Sequence, residues 1–154
     1  MTSVNPRRPD HAMALLADVT GAFQRDLLDE VVGTELPTHM EDLRGSQIRL
    51  LQLVPPEGLR ATDLAHRAGI TKQALGELAA TLAATGHLES VRDPSDGRVR
   101  IWRRTATGDD AAAWGERLIG AVERRWRRRV GASEWDELRR TLARVRDLVE
   151  DTGP

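Results

Sequence analysis

Arginine side chains surround a turn-forming segment in the middle of the chain. Residues 93–97 read Asp-Pro-Ser-Asp-Gly and lie between two short β-like stretches, residues 87–92 and 99–103. Such a segment predicts a β-hairpin, and the hairpin tip would carry Arg92, Arg98 and Arg100. An extended arginine at a ribbon tip suits the narrow minor groove of DNA, where the negative potential is strongest. Asp96 lies two residues before Arg98, where we expect its carboxylate to hold that guanidinium in place.

Polar residues also gather on the helix that precedes this hairpin, which is predicted over residues 72–85. Thr71 has the hydroxyl that an N-cap requires, and the inward stripe consists of Leu75, Leu78 and Leu82. The side left outside carries Lys72, Gln73, Gly76, Glu77 and Ala80. Glutamine hydrogen-bonds adenine edges, lysine reaches guanine or phosphate, and a helix N-terminus favours a phosphate. We therefore expect DNA contacts from Thr71, Lys72, Gln73 and Gly76.

A shorter helix comes directly before, at residues 62–68, and Gly69 is expected to supply the turn between the two helices. The small side chain of Ala65 lets the helices approach closely, and Ile70 packs the second helix on the first. This arrangement is typical of a helix-turn-helix, although an ordinary helical hairpin explains the two helices equally well. The β-hairpin that follows favours a winged helix-turn-helix.

Longer amphipathic helices are predicted on either side of this central region. After a loose arm at residues 1–9, a helix begins at Asp10 and carries one apolar stripe. A long helix over residues 109–130 and a final helix capped by Ser133 complete the chain. The final helix has apolar residues alternately three and four apart, at Trp135, Leu138, Leu142, Val145 and Val149. That spacing is typical of a coiled-coil seam and indicates a dimer interface.

The expected architecture is therefore mostly α-helical with a small β-hairpin wing (α+β). Three regions are distinguished within one intertwined domain. Residues 1–43 form an N-terminal arm and dimerisation helix, residues 44–108 a winged helix-turn-helix, and residues 109–154 a C-terminal helical dimerisation region.

The composition excludes several classes of function. The chain has 154 residues and no cysteine, which excludes disulfides and thiolate metal sites. Its four histidines include no pair with tight ligand spacing, so we expect neither a metal nor another cofactor. No apolar run approaches membrane-spanning length, and the start lacks an apolar signal core, so a cytoplasmic protein without membrane contact is expected. We expect no enzymatic activity, because no Ser-His-Asp elbow motif and no Gly-rich phosphate loop occurs.

The net charge of -1 conceals an uneven distribution of charge. Residues 1–43 hold three basic and eight acidic side chains, whereas residues 44–104 hold ten basic and six acidic ones. A DNA-binding module on an acidic scaffold permits this asymmetry. The most basic run, residues 124–129, is expected to complement a helix dipole and to pair with the acidic first helix. The alternative is a second phosphate-binding surface with Trp126 as a stacking group.

Several of these segments resemble the MarR family of bacterial transcription regulators. The resemblance rests on Ile70-Thr71-Lys72-Gln73-Ala74-Leu75, Gly86-His87-Leu88-Glu89, Asp93-Pro94-Ser95-Asp96-Gly97-Arg98 and Thr105-Ala106-Thr107-Gly108. The most specific part is the wing pattern Asp-Pro-x-Asp-x-Arg, which Thr-x-x-Gly follows at the right distance. Motif-level similarity is confined to about residues 61–108.

The resemblance implies a homodimer whose first and last helices intertwine. It also implies a recognition helix that starts near Thr71 and enters the major groove, and Arg98 in the minor groove, oriented by Asp96. Such proteins repress promoters by binding double-stranded DNA at an inverted repeat, and they release it when a small aromatic or anionic effector binds. Trp102 lies on a wing strand and is the tryptophan that we expect to face a ligand cleft.

Within residues 61–108, two features depart from the family pattern. Arg104 stands where the family usually has an apolar residue, just before the threonine of Thr-x-x-Gly, and Lys72 is the only basic residue of the recognition helix. An alternative is therefore a winged-helix module that binds another protein through the same surface without specific DNA binding.

Overall fold

The computed structural model describes residues 10–150, apart from the side chains of His39 and Glu150. The predicted arm at residues 1–9 lies outside the described residues. The elements follow in the order α1 (Ala12–Val32), a 3₁₀ turn (Thr38–Met40), α2 (Gly45–Leu53), β1 (Leu59–Arg60), α3 (Ala61–Ala68), α4 (Lys72–Ala84), β2 (Leu88–Arg92), β3 (Arg100–Arg104), α5 (Ala106–Val130) and α6 (Ala132–Glu150). This order confirms the predicted fold class, which is mostly helical with a small β wing.

The strands form one antiparallel sheet in the order β1-β3-β2. The predicted hairpin is β2 paired with β3, with Val91 opposite Ile101. The sequence predicts only these two strands, because β1 is two residues long and too short to show an alternating pattern. β1 pairs with β3 so that Leu59 lies opposite Trp102. Gly58 precedes it with a φ of +86°, and a Cβ there would lie 2.8 Å from the carbonyl oxygen of Trp102, so this turn requires glycine.

Two compact units make up the described chain. The winged-helix unit runs from Glu35 to Leu118, and the helical unit combines the described residues up to Thr34 with those from Ile119 onwards. The core of the winged-helix unit consists of side chains almost inaccessible to solvent, among them Leu50, Leu51, Val54, Leu64, Leu75, Ala79, Leu82 and Leu88. Burial of these apolar stripes fixes α2, α3 and α4 beside the sheet, because each helix must cover its apolar side.

The helix-turn-helix is formed by α3 and α4, which pack against each other. Gly69 follows the last residue of α3 in the left-handed conformation, so the prediction that it supplies the turn is confirmed. Ala65 is only 3% exposed, and its carbonyl oxygen accepts the N–H of Ile70 at 3.1 Å. Ala65 is therefore buried beside the turn, and the close approach of the two helices at this residue stays a prediction.

The Thr-x-x-Gly motif joins the sheet to α5. The hydroxyl of Thr105 donates to the carbonyl oxygen of Gly86 at 2.6 Å and accepts the N–H of Gly108 at 3.1 Å. A Cβ on Gly108 would lie 2.0 Å from the carbonyl oxygen of His87, so only glycine fits. α5 begins at Ala106, three residues before the predicted start, because Thr105 caps the helix and Gly108 lies inside its first turn.

The helical unit contains an aromatic cluster around Trp126. The rings of Phe23 and Trp135 meet the Trp126 indole edge to face, with centroid distances of 5.4 Å and 6.0 Å. The indole N–H donates to a carboxylate oxygen of Asp26 at 2.7 Å. Trp126 therefore packs α1, α5 and α6 together, and this contact explains the residue without a stacking role on nucleic acid.

Acidic partners neutralise part of the basic run at residues 124–129. Arg125 donates to the carboxylate of Glu30 and to the backbone carbonyl of Asp26, each at 3.2 Å. Arg127 pairs with Asp136 at 2.8 Å, which raises the pKa of the guanidinium and lowers the pKa of the carboxyl. The expected pairing with the acidic first helix is therefore confirmed for Arg125.

α6 begins at Ala132, so the prediction that Ser133 caps this helix is wrong. Gly131 comes before the first turn with a φ of +115°, and its carbonyl oxygen accepts the N–H of Trp135 at 3.0 Å. The prediction failed because a serine followed by acidic residues usually marks the start of a helix. Here the turn at Gly131 sets the boundary instead.

Apolar side chains of α1 and α6 are exposed in the single chain. On α6, Leu138, Leu142 and Val145 are 39%, 43% and 50% exposed, and on α1, Leu16 and Val19 are 49% and 45% exposed. The predicted seam is therefore a surface, apart from its buried first member Trp135. Contiguous apolar patches of this kind mark interaction sites in soluble proteins.

No helix within residues 10–150 combines the length and the apolar character that crossing a membrane requires. Over the same residues, no group of three or more His, Asp and Glu side chains is placed to hold a metal ion.

Candidate nucleic-acid interface

α4 presents a polar face to solvent because its opposite face is buried. The buried face consists of Leu75, Ala79 and Leu82, none of them more than 1% exposed. At the helix start, Oγ1 of Thr71 accepts the N–H of Ala74 at 3.1 Å, so the predicted N-cap is confirmed. The exposed face carries Lys72, Gln73, Gly76, Glu77 and Ala80. The structure therefore brings together the predicted contact residues of this helix on one surface.

Charge on this face is balanced rather than basic. Lys72 contributes one cation, and Glu77, which lies one turn further along, contributes one anion. The amide Nε2 of Gln73 donates to a carboxylate oxygen of Glu77 at 3.4 Å. Attraction for a phosphate is therefore concentrated in the first turn, where Lys72 adds to the positive end of the helix dipole.

Gly76 faces open space on the same surface. A Cβ built at this position meets nothing within 4 Å, so the packing of the protein does not require glycine here. A glycine in the middle of a helix is less favourable than alanine by about 1 kcal/mol. The fold of the protein itself therefore does not account for this glycine.

The exposed Arg98 projects from the loop between β2 and β3. A carboxylate oxygen of Asp96 accepts the backbone N–H of Arg98 at 3.0 Å, and the carbonyl oxygen of Asp96 accepts the N–H of Val99 at 2.9 Å. This corrects the predicted role of Asp96, because the contact is with the backbone of Arg98 and not with its guanidinium. Asp96 shapes the turn from which Arg98 projects.

The other two predicted tip arginines lie on the strands below the loop. Arg92 ends β2 and Arg100 begins β3, and the two residues are directly opposite each other. Nε of Arg100 donates to the hydroxyl of Ser90 at 2.8 Å, and its Nη2 donates to the carbonyl oxygen of Ser90. The prediction that all three arginines lie at the tip is therefore corrected, since Arg100 is held along the neighbouring strand and only Arg98 lies in the loop.

An ion pair that the sequence did not reveal anchors the start of the loop at the wing tip. Asp93 accepts hydrogen bonds from the N–H and the hydroxyl of Ser95 at 2.8 Å and 2.6 Å, and from Nε and Nη2 of Arg60 at 3.2 Å and 3.0 Å. The Ser95 bonds, followed by those of Arg60, lower the pKa of Asp93 to about 2. Arg60 and Asp93 lie 33 positions apart, so only the pairing of β1 with the sheet brings them together.

Arg104 ties three elements together at the other end of the wing. Its Nη1 donates to the carbonyl oxygens of Leu51 and Val54 at 2.9 Å and 2.6 Å, and its Nε donates to the carboxylate of Asp109 at 2.6 Å. The last carbonyl groups of a helix lack partners within the helix, so Arg104 caps the C-terminus of α2. This explains the departure from the family pattern, because the side chain is only 16% exposed and its Nε and Nη1 both donate hydrogen bonds.

Trp102 lies in the central strand of the sheet, opposite Leu59 on one side and Ser90 on the other. Its side chain is partly exposed. Two of the other tryptophans, Trp114 and Trp135, are buried. The expectation that Trp102 faces a ligand cleft stays a prediction.

Both predicted contact surfaces belong to the winged-helix unit. α4 leads into β2 through residues 85–87, and the N–H of His87 donates to the carbonyl oxygen of Leu82 at 2.8 Å. The hydroxyl of Thr105 holds Gly86 in the same turn. A short, hydrogen-bonded connection therefore joins the polar helix to the wing.

Comparison with known proteins shows which family this geometry resembles. Residues 41–99 match the model of the MarR family. No curated protein is significantly similar to the chain in sequence.

Among solved structures, the chain is similar to CouR from Rhodococcus jostii RHA1 bound to p-coumaroyl-CoA, with 22% identity and a TM-score of 0.70 over 88% of this chain and 92% of that one. CouR, described as a transcriptional repressor, also matches when bound to a 23-mer DNA duplex, with 24% identity, a TM-score of 0.70 and the same coverage. PcaV from Streptomyces coelicolor, in complex with its natural ligand, has 23% identity and a TM-score of 0.67 over 96% of this chain and 98% of that one. Wild-type MarR from E. coli has 18% identity and a TM-score of 0.69 over 89% of this chain and 98% of that one.

Identities at this level establish a shared fold. The family match shows sequence similarity as well, over the helix-turn-helix and most of the wing. The prediction of a winged-helix protein that resembles the MarR family is therefore confirmed. Residues 41–99 are similar to the MarR family, and the chain has the fold of MarR.

Proposed function

We propose that this chain is a transcription regulator that binds double-stranded DNA through α4 and the wing. The observation that carries the proposal is the pairing, in one compact unit, of a capped helix with a polar outer face and a hairpin with an exposed arginine. The major groove is about 12 Å wide and admits an α-helix, whereas an arginine at a ribbon tip fits the minor groove.

Each predicted contact residue has a distinct role in this proposal. Thr71 and Lys72 bind phosphates at the start of α4, where the helix dipole is positive. Gln73 hydrogen-bonds an adenine edge, and Gly76 lets the helix backbone approach the groove. Arg98 enters the minor groove, while Arg92 and Arg100, below the loop, add positive charge along the phosphate backbone. Asp96 contributes by fixing the loop backbone.

A homodimer is part of the proposal. A second copy of the chain would cover the exposed apolar faces of α1 and α6, and burial of one Leu or Val side chain contributes about 1.5–3 kcal/mol. Two-fold symmetry then places two recognition helices about 34 Å apart, so that the operator is an inverted repeat.

A charge placed in the exposed seam tests the dimer. Leu142→Glu is expected to give a monomer by analytical ultracentrifugation, because a carboxylate is costly to bury without a partner. Arg140→Glu introduces the same side chain two positions away on α6 and is expected to leave the dimer intact. Monomeric wild-type protein at micromolar concentration would contradict the dimer.

A small effector that releases the DNA is the third part of the proposal, which makes the protein a ligand-responsive repressor. The support is that CouR and PcaV were solved with bound small molecules and that CouR is described as a repressor. We propose an aromatic or anionic compound, with Trp102 beside it. Titration of tryptophan fluorescence with phenolic and carboxylate compounds tests this, and Trp102→Phe is expected to remove the signal.

Selection of genome fragments with the purified protein tests DNA binding, with affinity then measured at two salt concentrations. An enriched inverted repeat, bound less tightly at the higher salt concentration, is the expected result. Absence of any enriched sequence would overturn the proposal.

A second candidate function is a winged-helix module that binds another protein. The balanced charge of Lys72 and Glu77 on α4 favours it, since most DNA-binding surfaces are basic. A salt-insensitive complex with a protein partner, together with no preferred DNA sequence, would support this candidate.

A further inference from the structure

We propose that Glu77 is a specificity-determining residue of α4. Its carboxylate accepts a hydrogen bond from the exocyclic amino group of a cytosine in the major groove and disfavours sequences that lack this donor. The inference rests on the proposed DNA-binding function. It adds Glu77 to the residues that contact DNA, although its negative charge opposes DNA binding in general.

The position of Glu77 on the helix supports this role. Glu77 is exposed, follows Gly76 directly and lies four residues after Gln73, so that all three belong to the outward face. Residues four apart on a helix are neighbours on its surface. The side chains of Gln73 and Glu77 would therefore meet adjacent base pairs if α4 enters the groove.

Gln73 and Glu77 act as a pair in base recognition, because their side chains are hydrogen-bonded to each other. Nε2 of Gln73 donates to Oε1 of Glu77 at 3.4 Å, which occupies one of the two amide donors. The second donor and the amide oxygen can still bond N7 and N6 of an adenine. Glu77 retains the lone pairs of its second oxygen for the N4 amino group of a neighbouring cytosine. The pair therefore favours an adenine beside a cytosine.

The negative charge supplies discrimination as well as attraction. A carboxylate brought close to phosphates is repelled, and one that loses its water without gaining a donor is strongly destabilised. DNA that offers no amino group opposite Glu77 therefore binds less well than it would to a neutral side chain. Specificity of this kind comes from penalising the wrong partner.

Selection from a fully randomised duplex library tests the proposal, with wild-type protein, Glu77→Gln and Glu57→Gln compared in parallel. Glu57 is an exposed carboxylate in the turn before β1, so its substitution removes the same charge away from α4. We expect the wild type and Glu57→Gln to enrich the same site, with cytosine at one position of each half-site. Glu77→Gln is expected to lose the preference at that position alone and to lower the ratio of specific to random-sequence affinity about tenfold.

Each outcome bears on a different claim. An unchanged preference in Glu77→Gln would overturn the role of Glu77 and leave the proposed function standing. No enriched site for the wild type would overturn the proposed function and this inference with it. A site gained by Glu77→Gln that the wild type lacks would show that Glu77 blocks DNA binding, which contradicts the inference and favours a protein partner. Circular dichroism of each variant confirms that it is folded.

Discussion

The recognition helix and the wing are held in place by different interactions. α4 is fixed by burial of its apolar face, and its outer face carries one cation and one anion. The wing has few buried side chains and is held by hydrogen bonds, chiefly those of Asp93 with Ser95 and Arg60 at the loop and those of Arg104 at the opposite end.

In α4, stability and the proposed contact with DNA depend on opposite faces of one helix, whereas in the wing they depend on different arginines. The outer residues of α4 can change without loss of the fold, since packing depends on the other face. The arginines have different roles. Arg60, Arg100 and Arg104 bond to other groups of the protein, whereas Arg98 projects from the loop. Substitution should therefore affect DNA binding alone at Arg98 and stability mainly at Arg104.

The largest effect on DNA binding is expected at the wing tip. Arg98→Ala removes a charged donor, and such hydrogen bonds contribute about 1.5–3 kcal/mol, which corresponds to roughly a 10- to 100-fold loss of affinity. Fluorescence anisotropy with the selected duplex measures the loss. Arg103→Ala is the matched control, because Arg103 is paired with Glu89 on the sheet. Equal losses in the two variants would mean that only overall charge matters.

The largest effect on stability is expected at Arg104. Arg104→Leu restores the apolar residue typical of the family but leaves the carbonyl oxygens of Leu51 and Val54 without this donor, which should destabilise the fold by about 1–3 kcal/mol in urea unfolding. Arg103→Leu makes the same change at a half-exposed ion pair and should cost less than about 1 kcal/mol. If the two variants unfold at the same urea concentration, Arg104 does not tie the wing to α2.

A smaller effect is expected at Gly76 on α4, where substitution should raise stability and lower affinity for DNA. Gly76→Ala should stabilise the protein by about 0.5–1 kcal/mol, because alanine favours helix and the new methyl group meets open space. Affinity for DNA should fall, since the methyl group would enter the proposed interface. Thermal unfolding and anisotropy measure the two quantities. A variant that is more stable and binds DNA equally well would remove Gly76 from the interface.

The smallest effect concerns acid titration of the wing anchor. Because the pKa of Asp93 is lowered from 3.8 to about 2, its stabilising contribution is complete above pH 3.8 and is lost as the pH falls towards 2. The amide of Ser95 should therefore keep its NMR chemical shift between pH 8 and 5 and change only in strong acid. A shift centred near neutral pH would contradict the described hydrogen bonds of Asp93.

Much of the fold follows from local sequence signals, and what was missed depends on long-range contacts. The N-cap at Thr71 and the turn at Gly69 were predicted because the physical requirement lies within a few residues. β1 was not predicted, because a strand of two residues has no period and exists only through its pairing with β3.

The same distinction applies to the candidate site. Hydrogen-bonding types and helical spacing identified the outer face of α4. The bond of Arg60 to Asp93 and those of Arg104 to Leu51 and Val54 join residues 33, 53 and 50 positions apart, which sequence patterns do not reveal. Asp96 was correctly placed next to Arg98, but sequence spacing does not distinguish a bond to the guanidinium from a bond to the backbone.

The proposed complex has α4 in the major groove and Arg98 in the minor groove of the same site. Methylation interference tests it directly, because dimethyl sulfate modifies guanine N7 in the major groove and adenine N3 in the minor groove. This arrangement is expected to give major-groove interference in two half-sites about one helical turn apart, with minor-groove interference beside them that Arg98→Ala abolishes. Minor-groove interference that persists in Arg98→Ala, or interference confined to one groove, would contradict it.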